Sequence, residues 1–261
     1  MKLIIASRDD PAAVNIVDKL LKIYNFVKRG ENPELYVLRE TSLVCVSGDV
    51  TRLQELPVSA DEVIIASRHV SESGRSALTV HVPGHPAKYE LAIAAPETVK
   101  AALRTLIHAR DELRLSYDVS LEATHHGPAG LGVPVTFVEI GSSPKEWEDP
   151  RAGRAAARAI MAAAESSIRG PKAIGFGGTH YSPRHTELVL RTNICVGHVF
   201  PKYLGLDERL IRTAVDRTRG GVEIFALDWK GLRGRQREML RNIGEKLGVQ
   251  VIRESDLLKN L

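Results

Sequence analysis

Lys2-Leu-Ile-Ile-Ala-Ser-Arg-Asp-Asp-Pro-Ala-Ala-Val-Asn-Ile-Val-Asp-Lys-Leu-Leu-Lys-Ile-Tyr-Asn-Phe26 holds the pattern that decides the fold. The apolar run at residues 2–6 has the length of a buried strand. After a polar break, Val14, Val17, Leu20, Leu21 and Tyr24 recur at helical spacing, which predicts a helix over residues 11–26. Asp9 or Asp10 supplies the N-cap, and Pro11 suits the first turn, where its missing N–H has no intrahelical partner anyway. A buried strand feeding an amphipathic helix is the repeating unit of an α/β fold.

The unit recurs outward along the chain. Strands are expected at residues 62–66, 78–82, 117–123, 134–140, 172–176, 222–227 and 249–252, and a hairpin at 36–39 and 43–46. Helices are expected at 96–113, 152–168, 207–218 and 232–247, and an extended segment at 187–191. The order predicts an α/β fold with a mostly parallel central sheet flanked by helices. With no repeat, low-complexity tract or long linker, residues 1–261 read as a single domain, with an insertion around 66–95. An apolar fraction of 43% and a charged fraction of 26% describe a soluble globular chain. No run approaches the ~18 apolar residues of a membrane span. The N-terminal apolar run is too short for a signal-peptide core. Cys45 and Cys195 alone cannot build a disulfide framework, so a reducing cytoplasm is expected.

Charge is unevenly placed. Residues 1–150 carry 16 Lys/Arg against 21 Asp/Glu, and residues 151–261 carry 20 against 11, so −5 and +9 sum to the net +4. A basic half suits a polyanionic partner such as RNA. Arginine enrichment in a thermophile or a GC-rich genome would give the same composition. The segment Trp229-Lys230-Gly-Leu-Arg233-Gly-Arg235-Gln-Arg237-Glu-Met-Leu-Arg241 concentrates this charge where a helix opens. Cations there gain nothing from the helix dipole, so a phosphate backbone is an attractive neutraliser. A solvated helix face is the competing account of the same residues.

The nine histidines are grouped. His125 and His126 lie in Glu122-Ala-Thr-His-His-Gly-Pro, His180 and His185 in Gly177-Gly-Thr-His-Tyr-Ser-Pro-Arg-His, and His198 in Gly197-His-Val-Phe-Pro. His81 stands in Thr79-Val-His-Val-Pro-Gly-His85, shortly after Arg68-His69. Imidazole repeated beside turn glycines suits metal binding or proton transfer better than packing. Several of these segments follow predicted strands, and ligands in such sheets collect beyond the strands' carboxyl ends. His180 and His185 are five apart with a proline between them, so the helical zincin pattern is absent. Each histidine taken alone has a structural explanation. Together, His81, His125, His180, His185 and His198 with Glu122 and Glu139 offer enough N and O donors for one or two zinc ions. Glu122, His126 and Glu139 are the acid–base candidates. Main-chain N–H groups of Gly141, Ser142 and Ser143, or of Gly177, Gly178 and Thr179, are candidates for an oxyanion or phosphate loop, with ordinary turn chemistry as the alternative. The hydroxyl-rich loop at residues 71–76 has the same two accounts, and neither serine loop fits G-x-S-x-G.

At these segments the chain resembles the archaeal and plant type of D-aminoacyl-tRNA deacylase. The resemblance is carried by Ser67-Arg-His69 with Ser71-Glu-Ser-Gly74, Leu78-Thr-Val-His81 with Pro83-Gly84, and Glu122-Ala-Thr-His-His-Gly-Pro128. It continues through Val138-Glu-Ile-Gly-Ser142 with Glu146-Trp147, Gly177-Gly-Thr-His-Tyr181 with Pro183, and Gly197-His198 with Pro201-Lys-Tyr203. His85 departs from the expected asparagine after Pro-Gly. The resemblance implies hydrolysis of the ester between a D-amino acid and tRNA, bound zinc, and a fold akin to the phosphorylase/peptidyl-tRNA-hydrolase class. The chemistry of the residues, and not the resemblance, then suggests the roles: zinc near His125, His126, His180 and His198 lowers the pKa of a water, Glu122 or Glu139 takes its proton, and Lys202, Lys230, Arg233, Arg235, Arg237 and Arg241 hold the tRNA acceptor end. A cytoplasmic monomer with no membrane partner is expected. Another metal-dependent or peptidyl-tRNA-type hydrolase, a nucleoside phosphorylase, or a non-catalytic RNA-binding protein are the competing functions.

Overall fold

In the computed structural model, which describes residues 1–72 and 74–259, the opening strand and helix form as their pattern dictates. Strand β1 (Lys2–Ser7) is almost wholly buried and leads into α1 (Pro11–Ile23). Asp10 Oδ1 accepts the N–H groups of Ala12 and Ala13 at 2.9 and 3.1 Å, capping two donors that a helix start leaves without partners. A hairpin region follows, β2 (Val27–Glu31), β3 (Glu34–Leu38) and β4 (Thr41–Val46), then β5 (Glu62–Val70), β6 (Ala77–His81) and the short pair β7 (Gly84–His85) and β8 (Glu90–Leu91). Helix α2 (Pro96–Glu112) leads to β9 (Asp118–Leu121) and β10 (Val135–Ser142), then to α3 (Pro144–Trp147) and α4 (Pro150–Ala164). The C-terminal part comprises β11 (Lys172–Phe176), α5 (Pro183–Arg191), β12 (Cys195–Phe200), α6 (Glu208–Asp216), β13 (Ile224–Leu227), α7 (Gly234–Leu247), β14 (Gln250–Arg253) and α8 (Glu254–Lys259).

The strands fall into two main sheets. The larger has the order β2-β3-β4-β1-β5-β10-β6-β9, and the smaller, β12-β11-β13-β14, is parallel throughout. In the larger sheet β4, β1, β5 and β10 run parallel, β6 runs antiparallel to β10, and β9 runs parallel to β6. The expected α/β class and predominance of parallel pairing are therefore present, with the strands divided between two sheets. Helices α1, α2 and α4 pack on one another and on the large sheet, and α2 also packs on β11 and β12. Gly153 permits the α1–α4 approach, because a Cβ there would lie 2.3 Å from Asn15 Oδ1. Ala173, Val196, Val199 and Ala226 of the small sheet join the large sheet's core, while Phe176, Phe200 and Phe225 pack with Leu210, Ile211, Leu240 and Ile243 of α6 and α7.

Two local expectations change, and one strand is added. Residues 187–191 are helical: Pro183 opens α5, and His185, Thr186, Leu188 and Val189 bury one helical face, so Leu188-Val-Leu190 is not a strand. Residues 195–200 form the buried strand β12, in place of a Gly-His turn. Residues 27–31 form an edge strand whose side chains are mostly exposed and carry no apolar signal. Within residues 66–95, β6 lies inside the large sheet between β10 and β9. No helix among the described residues is long and apolar enough to cross a membrane.

Candidate active site

Five segments bring titratable side chains together. His69 ends β5, His81 ends β6, and Glu139 sits within β10, opposite Ser67 on one side and Thr79 on the other. Glu122, His125 and His126 follow β9, and His180 and Tyr181 follow β11. The last two segments come from different sheets and are sewn together by backbone. Glu122 and Tyr181 form an antiparallel bridge, the Ala123 N–H donates to the His180 carbonyl at 2.8 Å, and the Ser182 N–H donates to Leu121 at 3.0 Å. The Thr124 N–H donates to Val199 of β12 at 2.8 Å, and the Gly84 N–H to the His125 carbonyl at 3.1 Å. These bonds fix the loop that the Gly127-Pro128 turn closes.

Glu122 is the hub. It is 1% exposed, and neither carboxylate oxygen has a hydrogen-bond partner. Around it stand His69 Nδ1 at 3.0 Å, His81 Nδ1 at 3.5 Å, His125 Nε2 at 3.7 Å and His180 Nε2 at 3.8 Å. Glu139 Oε2 lies 3.6 Å from His69 Nδ1, 3.9 Å from His81 Nδ1 and 3.5 Å from Thr79 Oγ1. His69 Nε2 meets the Tyr181 hydroxyl at 2.6 Å. His81 is buried and stacks on Phe137, with ring centroids 4.9 Å apart, yet neither of its nitrogens has a partner. His125, His126 and His81 approach one another with centroids 4.3–4.8 Å apart.

Burial controls the protonation of this group. It pushes Glu122 up to about 8, helped by the neighbouring Glu139, and Glu139 up to about 8, helped by Asp10. Burial also drives His81 well down, His125 down to about 3, and His126 and His180 below the usual imidazole range. Neutral imidazoles are the form that ligates metals. His125 and His126 each hold Nδ1 on a carbonyl, Ala123 and Gly127 respectively, at 2.8 Å, which turns the Nε2 lone pair inward. Three overlapping donor sets result: His81, His125 and His126; Glu122, His125 and His180; and His69, Glu122 and Glu139. Buried, partnerless N and O donors in this density fit a zinc-like ion, because they otherwise forfeit their hydration for nothing.

Of the histidines expected to act together, the structure gathers His81, His125, His126 and His180, with Glu122 and Glu139. It does not bring His185 or His198 to them. His185, on α5, faces Ala226 O at 3.3 Å and Glu254 at 2.8 Å; His198, in β12, faces Thr124 Oγ1 at 3.2 Å and Arg217 O at 3.3 Å. His198 answers buried polar groups of neighbouring elements, and His185 stands between α5, β13 and the buried carboxylate of Glu254. Gly141 pairs with His69 and Ala77 inside the sheet, the Ser142 hydroxyl donates to Arg75 O, and the Ser143 hydroxyl to Glu146. The Gly177 N–H donates to Phe200 O, Gly178 O accepts from the Lys202 N–H, and Thr179 Oγ1 donates to Tyr181 O. In these loops the Gly177 N–H and the sheet-paired backbone of Gly141 are thus committed to structure. In the hydroxyl-rich loop Ser76 donates to Glu146, and Ser73 lies outside the described residues. His69 and Tyr181 join the site although neither is among the expected catalytic or metal-binding residues; both lie in segments that carry the family resemblance. A signal for His69 exists in its neighbour: a Cβ on Gly141 would lie 2.6 Å from the His69 ring, so the glycine keeps the imidazole's place.

The basic segment borders the same edge. Gly178 packs closely against Gly231, which places Lys230 and Arg233 beside the turn that carries His180. The guanidiniums of Arg253, Arg237 and Arg241 stand 3.9, 4.4 and 5.0 Å from the Trp229 ring, so the indole is covered by arginine. Lys202, Lys230, Arg233, Arg235 and Arg241 are exposed.

Residues 56–252 match the family model described as D-aminoacyl-tRNA deacylase. The chain is 41% identical over 219 residues to the D-aminoacyl-tRNA deacylase of Methanosarcina mazei, covering 80% of this chain and 72% of that protein. It is 34% identical over 276 residues to the protein of the same name from Thermococcus onnurineus, covering 97% and 100%. A crystal structure of a conserved protein of unknown function superposes with a TM-score of 0.91 at 30% identity, covering 99% of this chain and 97% of that one.

Proposed function

The chain belongs to the D-aminoacyl-tRNA deacylase family of ester hydrolases, and from that premise we propose that it frees tRNA from D-amino acids by zinc- and histidine-assisted attack of water on the aminoacyl ester. One observation carries the assisted chemistry: a buried, partnerless Glu122 ringed by four imidazoles. His81, His125 and His126 would hold one ion, and Glu122, His125 and His180 complete a second set of donors beside it. An ion bound there supplies a Lewis acid for the charge that develops on the ester carbonyl.

The chain's own groups then divide the remaining work. Glu139, flanked by Thr79 and by His69, accepts the proton of the attacking water. His69 spans Glu122 and Tyr181 and fixes the orientation of both. The basic edge formed by Lys202, Lys230, Arg233, Arg235, Arg237 and Arg241 holds backbone phosphates of the tRNA acceptor stem. An aminoacyl ester is already activated, so holding it in place supplies much of the rate.

Turnover of D- and L-tyrosyl-tRNA, before and after chelation, tests the proposal. The D ester is expected to be hydrolysed far faster, chelation to abolish turnover, and added zinc to restore it. Equal rates on the two enantiomers overturn the proofreading function. Full activity in metal-free protein overturns the assistance by zinc.

A further inference from the structure

Two cavities flank the contact between His69 and Tyr181, and they differ in charge. One, of 670 Å³, is lined by His69, His125, His126 and His180 and walled by Asp9, Asp10 and Asp49, which outnumber its one arginine, Arg68. Such a wall repels phosphate and suits the cationic amino end of an aminoacyl group. The other, of 630 Å³, meets the site at Tyr181 and carries three arginines, Arg75, Arg110 and Arg191, against two carboxylates, Asp118 and Glu187, around an apolar floor that includes Val119 and Leu190.

Taking the tRNA-ester activity as its basis, we propose that the arginine-rimmed cavity binds the 3′-terminal nucleotide of the tRNA. Its phosphate lies among the guanidiniums, and its base lies on the floor against Tyr181. The three arginines come from separate parts of the chain, the loop before β6, α2 and α5, and converge on one opening. Each is steadied by a surface carboxylate: Arg75 by Asp118 at 3.6 Å, Arg110 by Asp111 at 2.7 Å and Arg191 by Glu187 at 2.8 Å. Ion pairs of this exposed kind are weak. A phosphodiester, whose two free oxygens share one negative charge and accept from guanidiniums on different elements, competes with such weak pairs. An aromatic ring beside an apolar floor takes a base in stacking contact without reading its identity.

Tyr181 makes the placement specific. It lines this cavity, while its hydroxyl reaches His69 Nε2 at 2.6 Å and its backbone bridges Glu122. A nucleotide resting here therefore sets its ribose ester at the Tyr181–His69 wall, with the acyl group passing into the acidic cleft beyond. The substrate is oriented by charge, phosphate on one side and ammonium on the other.

Binding of the trinucleotide CpCpA, which carries no ester, tests the cavity separately from the reaction. Arg75→Ala, Arg110→Ala and Arg191→Ala are each expected to weaken CpCpA roughly fivefold to tenfold by calorimetry, as removal of a charge-assisted hydrogen bond to phosphate does. The KM for D-tyrosyl-tRNA should rise in step. Leu190→Trp, which fills the floor, supplies a variant that leaves every arginine in place and should also weaken CpCpA. Unchanged CpCpA affinity in the folded triple arginine variant, or weakening only on substitution of Arg233 and Arg235, overturns the proposal. Wild-type protein that binds CpCpA through these arginines yet hydrolyses no aminoacyl ester leaves the cavity assigned and removes the deacylase function.

Discussion

Alanine at position 141 should damage the site through one neighbour. A Cβ there would lie 2.6 Å from His69 Cδ2 and 2.8 Å from His69 Cβ. Ordinary carbon contact begins near about 3.5 Å, so the imidazole must retreat by roughly 0.8 Å. It now stands 3.0 Å from Glu122 and 2.6 Å from the Tyr181 hydroxyl, and a retreat of that size breaks one of these interactions or both. Overpacking a buried site costs about 1–3 kcal/mol, and misplacing a reacting group by about 1 Å costs up to roughly 100-fold in rate. Gly141→Ala should therefore lower single-turnover deacylation by about 10- to 100-fold and the unfolding midpoint by roughly 3–10 °C. Because the clash is with the His69 side chain from Cβ outward, His69→Gly should absorb it: the double variant should deacylate no more slowly than His69→Gly alone. Additive losses in the double variant, or near-normal rates in Gly141→Ala with its midpoint lowered, would refute this account. They would return Gly141 to consideration as a backbone contributor to catalysis.

Three further outcomes are expected. Lys100 is buried, and its ammonium donates to the carbonyls of Val189, Thr192 and Ile194 at 2.6, 2.5 and 3.0 Å, closing the end of α5. Lys100→Met should destabilise by about 3–5 kcal/mol, since each buried acceptor left unmet costs roughly 1–3 kcal/mol and water relieves some of it; an unchanged thermal midpoint would show other donors there. His81→Ala should lower zinc per folded chain in a metal assay, whereas His185→Gln and His198→Gln should retain it; metal lost from His198→Gln would place that residue among the ligands after all. Replacing Arg233, Arg235 and Arg241 by alanine should raise the KM for aminoacyl-tRNA and flatten its dependence on salt by about one unit of log slope for each phosphate no longer neutralised. An unchanged slope would free that surface of a role in RNA binding.

Much of the fold was legible because burial leaves a period in the sequence. The strand and helix at residues 2–26, the helices α2, α4 and α7, and the strands β10, β11 and β13 all carry uninterrupted apolar patterns. The pattern failed where burial and composition part company. Strand β12 buries Gly197 and His198, two residues that read as turn chemistry, and α5 buries a Leu-Val-Leu run that also suits a strand. The same ambiguity misled the choice of histidines. His185 and His198 share the Gly/Pro surroundings of His180 but lie within regular elements, where their nitrogens answer buried carbonyl, hydroxyl and carboxylate groups. His69 lacks such surroundings, and only the register β5–β10, which sets it against Gly141, shows its place. The partner of the Tyr181 hydroxyl is 112 positions away and leaves no local trace.

The stitching of the β9 extension to the turn after β11 has a temporal side. His69, His81, Glu122, His125 and His126 leave the ribosome before His180 and Tyr181, and the bonds from Ala123 to His180 and from Ser182 to Leu121 form only when the second sheet has docked. Contacts of such long sequence separation are closed late in folding. A nascent chain thus carries most of its imidazoles without the wall that orients the substrate. The last members of the cluster, His180 and Tyr181, arrive with residues 151–261, the same stretch that carries the net positive charge. The cluster and the positive charge are thus completed together, by the part of the chain that is made last.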